Sequence, residues 1–196
     1  MTTHIRNRHS EDIIRSYGED SLKYFDFSEQ DLRYADFSGM DLTEVNFSEA
    51  ALYDADFRGA MLTGANFYEA NLDSALFDGA LLRGANFCEA TLTNASLRNA
   101  ILNSAIFHSA YMRDADITSA SMWDTVGDGT VIQTIQTGRY VINITADAIQ
   151  IGCQRHTPAE WMGFADGHIA SMDDGALQWW ETWKPVIKAA LSARGM

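Results

Sequence analysis

Basic residues are scarce in this sequence: 14 Lys and Arg stand against 27 Asp and Glu, giving a formal charge of −13. The imbalance sits in the middle. Residues 20–124 carry 17 acidic against 6 basic groups, whereas residues 1–19 balance at 3 against 3 and residues 125–196 hold 7 against 5. Such a field repels nucleic-acid phosphates and anionic lipid headgroups and attracts basic surfaces, so direct binding to nucleic acid or to a membrane is disfavoured. Cysteine is almost as rare. Cys88 and Cys153 are the only two and lie far apart, and no stretch resembles a secretory signal or a membrane span, so a cytoplasmic, reduced protein is the expectation. An apolar fraction of 46% argues against disorder.

What the sequence does have is a period of five. Large apolar residues recur without insertion at Leu22, Phe27, Leu32, Phe37, Leu42, Phe47 and onward to Ile117 and Met122, and the residue two places earlier is alanine from Ala50 through Ala120. Neither the 3.6-residue period of a helix nor the 2-residue period of a strand accommodates this spacing. A coil that turns a corner every five residues does. A longer period of twenty is superimposed: Glu29, Glu49, Glu69 and Glu89 repeat at that interval, with Gly39, Gly59 and Gly79 halfway between. Four sides per coil follow, with about five coils stacked at strand spacing into a rod roughly 25 Å long. The central Leu or Phe and the alanine point inward, and the other three positions face solvent. A stack of this kind leaves two apolar ends that need covering. At the N-terminus, within a capping segment over residues 1–19, a short helix from Ser10 to Tyr17 is expected, with Ser10 as N-cap, Ile13 and Ile14 as the covering face and Gly18 as the stop.

Alanine followed by Asp or Asn and then by Leu or Phe closely resembles the repeat of the pentapeptide-repeat family, across slightly more than half of the chain. The resemblance implies a mainly β fold, a right-handed quadrilateral β-helix over residues 20–126. It supplies the handedness, which spacing alone does not.

Beyond Trp123 the period stops. Residues 131–153 alternate apolar and polar side chains around Thr137-Gly138 and Thr145-Ala146-Asp147, which predicts two or three short antiparallel strands. Thr157-Pro158-Ala159-Glu160 reads as a helix start carrying Trp161 and Met162, with Thr157 as N-cap. A second helix is expected from Asp173 or Asp174 to Arg194, with Trp180, Trp183, Ile187 and Leu191 in one stripe and Pro185 kinking or splitting it. Residues 127–196 are thus a small α+β C-terminal cap. Similar tails follow pentapeptide repeats in phage and bacterial proteins, and the better-studied relatives imply dimerisation through this end, making Trp179, Trp180 and Trp183 candidates for a homodimer contact.

No acid, base and nucleophile converge in the pattern, and a filled tube offers no cleft, so neither an enzyme nor a cofactor is expected. Cys153, His156 and His168 could supply three zinc ligands, but a fourth is missing and the spacing fits no structural zinc pattern; a buried cysteine and two ordinary histidines are preferred, and no metal is expected. Cys88 and His108 read as a stacked surface pair. The acidic residues are the candidate site. Asp20, Asp26, Glu29, Asp31, Asp36, Asp41, Glu44, Glu49, Asp54 and Asp56 are opposed only by Lys23 and Arg33, and Glu69 and Glu89 extend the glutamate column. Stacking like charges costs stability, so stability alone does not select that column. A solvated face kept charged for solubility is the plain alternative.

The resemblance implies a DNA mimic, because pentapeptide-repeat proteins that protect or inhibit DNA gyrase are described in those terms. The expected partner is a DNA-handling protein with a basic groove: gyrase or another topoisomerase, or a host-defence nuclease such as a restriction or CRISPR effector, which a phage origin would favour. The rival is a structural scaffold that binds through its aromatic tail. A further feature is the outward column Met61, Leu81 and Ile101, with Leu76 on another side, an apolar strip expected to receive the C-terminal helix of the same chain or a second copy in preference to a foreign partner.

Overall fold

The computed structural model describes residues 3–18, 21–129, 131–137 and 139–194. Asp20 of the acidic cluster and Gly138 of the expected turn lie outside them. Turns recur every five residues, and parallel bridges join residues twenty apart, from Asp26↔Asn46 to Ile106↔Val126. Each rung therefore has four sides, and equivalent side chains of successive rungs lie over one another. The amide of Phe47 donates to the Asn66 carbonyl at 2.7 Å, the amide of Asn66 donates to the Val45 carbonyl at 2.9 Å, and this pair of bonds repeats along the rod. Within a side, a turn bond such as Ala50 N to Phe47 O at 3.1 Å closes the corner.

The interior is filled by the two side chains that the repeat assigns to it. Central residues from Leu22 to Met122 are buried, and the alanines from Ala50 to Ala110 lie beside them. Phe27, Phe47, Phe67, Phe87 and Phe107 form one stack with ring centroids 5.1, 5.2, 4.9 and 4.8 Å apart, and Phe37, Phe57 and Phe77 form a second. Each buried Phe or Leu contributes roughly 1.5–3 kcal/mol relative to exposure. The corner residue two places after the central one takes a left-handed φ, which explains the glycines at Gly39, Gly59 and Gly79. At Gly64 there is a second reason: a Cβ there would stand 3.1 Å from the Glu44 side chain.

The N-terminal cap is not the expected helix. β1 (Thr3–Asn7) and β2 (Ile13–Tyr17) form an antiparallel hairpin, and β1 pairs on its other edge with β3 (Ala35–Asp36) of the rod, in the order β2-β1-β3. The physical reason lies in the end of the solenoid. Its open edge presents unpaired backbone groups, and a strand can satisfy them whereas a helix cannot. Ser10, the expected N-cap, sits in the hairpin turn, where its hydroxyl donates to Asp12 at 2.8 Å and the Asn7 side chain accepts the amides of His9 and Ser10. Ile5 is fully buried over the first rung, and Tyr17 packs edge-on against Phe25 and Phe27.

At the other end, β4 (Gln133–Gln136), β5 (Val141–Ile144), β6 (Ile149–Ile151) and β7 (Gln154–His156) make an antiparallel meander of four strands, more than the two or three expected. It docks on the last rung through polar side chains. The Met122 amide donates to Gln150 Oε1 at 2.9 Å, Asn143 Nδ2 donates to the Met122 carbonyl at 2.8 Å, and Ile132 joins the rod's apolar cluster. α1 (Pro158–Gly163) begins with a capping box between Thr157 and Glu160 and buries Trp161. α2 (Asp166–Ala170) follows, and α3 (Ala176–Ala193) runs through Pro185 without splitting. Trp180, Ile187 and Leu191 of α3 pack on Ile142, Ile144, Ile149 and Ile151 of the sheet, forming a second core.

Candidate partner-binding surface

The twenty-residue rung places Glu29, Glu49, Glu69 and Glu89 in one corner column. All four are exposed, with φ of 59°, 59°, 55° and 61°. A left-handed backbone costs a non-glycine residue on the order of 1–2 kcal/mol, and among side chains Asn and Asp tolerate it best. The other corners are mixed: Gly59 and Gly79 hold glycine, Asp54, Asn94 and Asn99 hold the tolerant side chains, and Tyr34, Glu44, Ser74, Ser104 and Ser119 take the same left-handed φ. The side of the rod leading into the glutamate column, residues 25–29, 45–49, 65–69, 85–89 and 105–109, contains no Lys or Arg.

The remaining acidic residues are divided among other sides, and several are neutralised at home. Asp31 pairs with Arg33 at 2.7 Å, Asp41 with Lys23 at 2.8 Å, and Asp54 with Arg8 at 3.1 Å and His9 at 2.7 Å. Asp56 is only 3% exposed and accepts a 2.5 Å bond from Arg58. Burial pushes the Asp56 carboxyl up, but hydrogen bonds from the Arg58 side chain and amide, with its charge, outweigh this and hold it below the ordinary range. Hydrogen bonds from Arg33 and Lys23 likewise lower Asp31 and Asp41. Asp36 accepts the Ser38 amide at 2.9 Å and has Arg58 in its electrostatic surroundings. Asp26 accepts from the Ser28 hydroxyl and amide and from Asn46 Nδ2, which lowers it. It lies at the start of the cation-free side. Glu44 is exposed at another corner.

Tyr68 reports the field of the column. Its hydroxyl lies 3.4 Å from Glu89 Oε1, and its pKa is pushed up to about 12, first by hydrogen bonding to Glu69 and then by desolvation and the charges of Glu69 and Glu89.

Met61, Leu81 and Ile101 also form a column, each 38% exposed, with Leu76 half-buried on the neighbouring side. α3 does not lie on them; it packs on β4–β7, because its buried stripe matches the isoleucines of that sheet. Of the tail aromatics, Trp180 is 2% exposed, Trp179 packs edge-on against Tyr140 and donates to Thr137, and Trp183 is half-buried beside Trp179. His156 and His168 both pack on Phe164, and Cys153 is exposed rather than buried. Among the described residues no cluster of three or more His, Cys, Asp or Glu is arranged to hold a metal ion, and no helix is long and apolar enough to cross a membrane. The reach of Arg8 and His9 to Asp54 was not visible in the sequence, since it depends on the hairpin.

Comparison with known proteins identifies the five-residue repeat. The family description "Pentapeptide repeat region" matches residues 19–87, and "Pentapeptide repeats (8 copies)" matches residues 80–118. No curated protein sequence matches the chain. Among solved structures, a pentapeptide repeat protein from the Arabidopsis thaliana thylakoid lumen is 38% identical over 50% of this chain and 68% of its own, with a TM-score of 0.49. Rfr23 from the cyanobacterium Cyanothece 51142 is 34% identical over 45% of this chain and 64% of its own, with a TM-score of 0.27. QnrB1, a plasmid-mediated fluoroquinolone resistance protein, is 21% identical over 53% of this chain and 61% of its own, with a TM-score of 0.35. The chain belongs to the pentapeptide-repeat family, and its rod is that family's right-handed β-helix.

Proposed function

We propose that this chain is a non-enzymatic protein whose acidic rod occupies the basic groove of a DNA-handling protein in place of a duplex. The observation that supports it most is the exposed column Glu29, Glu49, Glu69 and Glu89, bordering a side with no Lys or Arg and set at corners where glycine would cost less. The column offers one carboxylate per rung of ~5 Å, against one phosphate per ~3.4 Å of a DNA strand. That is about two-thirds of a strand's linear charge density, enough to compete for cationic side chains. Asp26 lengthens the acidic side and Glu44 adds charge at another corner. The paired Asp31, Asp41, Asp54 and Asp56 contribute to the far field more than to direct contacts, because each already holds a cation. Gyrase or another topoisomerase and a host-defence nuclease are the targets of this chemistry, met in the cytoplasm.

The test is a binding titration of the full chain against purified gyrase and a restriction nuclease at low and high salt, with duplex DNA as competitor. Salt and duplex should both dissociate the complex, and the triple reversal Glu29→Lys, Glu49→Lys, Glu69→Lys should abolish it. A complex that survives salt and the reversal refutes mimicry. It would favour a second reading, an interaction scaffold, which the uncovered Met61, Leu81 and Ile101 support better than the largely internal tail tryptophans do.

A further inference from the structure

The second core contains a cavity of about 140 Å³ between β6 and α3. Ile151, Trp161, Ile169, Met172, Ala176 and Trp180 supply most of its apolar wall, and exposed Cys153 and Asp173 place its mouth at the surface. An apolar cavity of about 150 Å³ is large enough for a single six-membered ring. Its size therefore admits a monocyclic aromatic as the buried part of a ligand.

Three indoles line this space, and they differ in one respect. Trp161 Nε1 donates to the Ile149 carbonyl at 2.8 Å, and Trp179 Nε1 donates to Thr137 Oγ1 at 2.9 Å. Trp180 Nε1 is buried with no hydrogen-bond partner, in a residue that is 2% exposed. Its ring is held by Trp161, with centroids 5.5 Å apart, and by the Lys184 ammonium 5.2 Å from the ring centroid, so turning the donor out to solvent would break both contacts. Buried donors are normally satisfied, and a pocket that orients its ligand does so with a few polar groups set in an apolar wall. The carboxylate at the mouth is Asp173, which accepts bonds from Tyr140 and Arg139; it disfavours an anion, while its own pairing leaves no open charge for a cation. We infer that the C-terminal segment holds a binding site for a small, neutral, aromatic molecule carrying one hydrogen-bond acceptor, which takes the Trp180 indole N–H.

The experiment is a titration of the ¹⁵N-labelled full chain with acetophenone and, separately, with ethylbenzene, which has nearly the same shape and no acceptor. Acetophenone should produce saturable shifts, with the Trp180 indole resonance moving downfield, and should bind about tenfold more tightly than ethylbenzene. Trp180→Phe identifies that resonance by its loss and should bring the two probes to equal affinity. Ala176→Leu fills the cavity and should abolish binding of both, with its amide spectrum showing whether the fold is retained. Absence of saturable acetophenone binding, equal affinity of the two probes for the unmodified chain, or a preference that persists in Trp180→Phe would each overturn the assignment.

Discussion

Replacing Glu49 with glycine should make the protein more stable, although it removes a charged surface residue and adds backbone freedom. Glu49 has φ 59°, and its column neighbours are Glu29 and Glu69. Releasing a left-handed non-glycine residue returns roughly 1–2 kcal/mol, and the extra entropy of glycine in the unfolded chain takes back about 0.5–1 kcal/mol. The backbone balance is a gain of about 0–1.5 kcal/mol, or roughly 2 °C at the middle of that range in a chain of this size. Relief of like-charge repulsion adds to the gain at low ionic strength and is screened at high salt. Glu49→Gln separates the two contributions, because it keeps the backbone conformation and removes only the charge. Urea midpoints at low and high salt should show Glu49→Gly above the unmodified chain in both, and Glu49→Gln above it only at low salt. A Glu49→Gly midpoint below that of the unmodified chain at high salt would refute the claim that this column is retained against stability.

Two further outcomes test the rod. Phe67→Ala opens a void between Phe47 and Phe87, whose rings lie 5.2 and 4.9 Å from its own, and should cost about 3–5 kcal/mol in thermal or urea unfolding followed by circular dichroism; Phe67→Leu, matching the leucines of neighbouring columns, should cost less. Stability should also fall in acid. Asp26, Asp31, Asp41, Asp56 and Asp116 are held below the ordinary carboxylate range by hydrogen bonds and neighbouring cations, so the unfolded chain takes up protons first as pH drops. Their contribution is complete above about pH 4 and is lost progressively below it, and a urea midpoint that stays constant from pH 5 to about pH 2.5 would contradict these assignments.

The rod was legible because its sequence repeats one local decision more than twenty times: a large side chain, a small one two places earlier, and a corner. Any error in one unit is corrected by the next. The ends have no such redundancy. Ile13-Ile14-Arg15-Ser16-Tyr17 carries β-branched residues that suit a strand, yet its partner is Thr3–Asn7, and that strand is fixed by a backbone edge at Ala35 and Asp36, 28 or more residues along the chain from Asn7 and Arg6. The tail shows both cases. The Thr157-Glu160 capping box is a four-residue signal, and it appears at its predicted place; the pairing of α3 with β4–β7 rather than with the Met61 column depends on which apolar surface lies nearest, and periodicity does not encode that. The glutamate column was readable from its interval, but the pairing of Asp54 with Arg8 and His9 was not, because it awaits the hairpin.

The sides of the rod also speak to why the acidity is there. Core positions are committed to packing, so only the outward positions of each unit are free, and each side can carry its own chemistry. One side alternates signs: Arg58 pairs with Asp56, and Arg98 reaches Asp78 at 3.0 Å and Asp116 at 3.8 Å. Another places Met61 between glycine corners at Gly59 and Gly64 and Leu81 between Gly79 and Gly84, with Ile101 next in the column between Asn99 and Ser104. The side leading to Glu29, Glu49, Glu69 and Glu89 has no Lys or Arg. Solubility requires only that charges be plentiful and mixed, which the alternating side already provides. A column that segregates one sign, sets it at left-handed corners and leaves it exposed goes beyond that requirement, which is why we assign it, and not the alternating side, to a cationic groove.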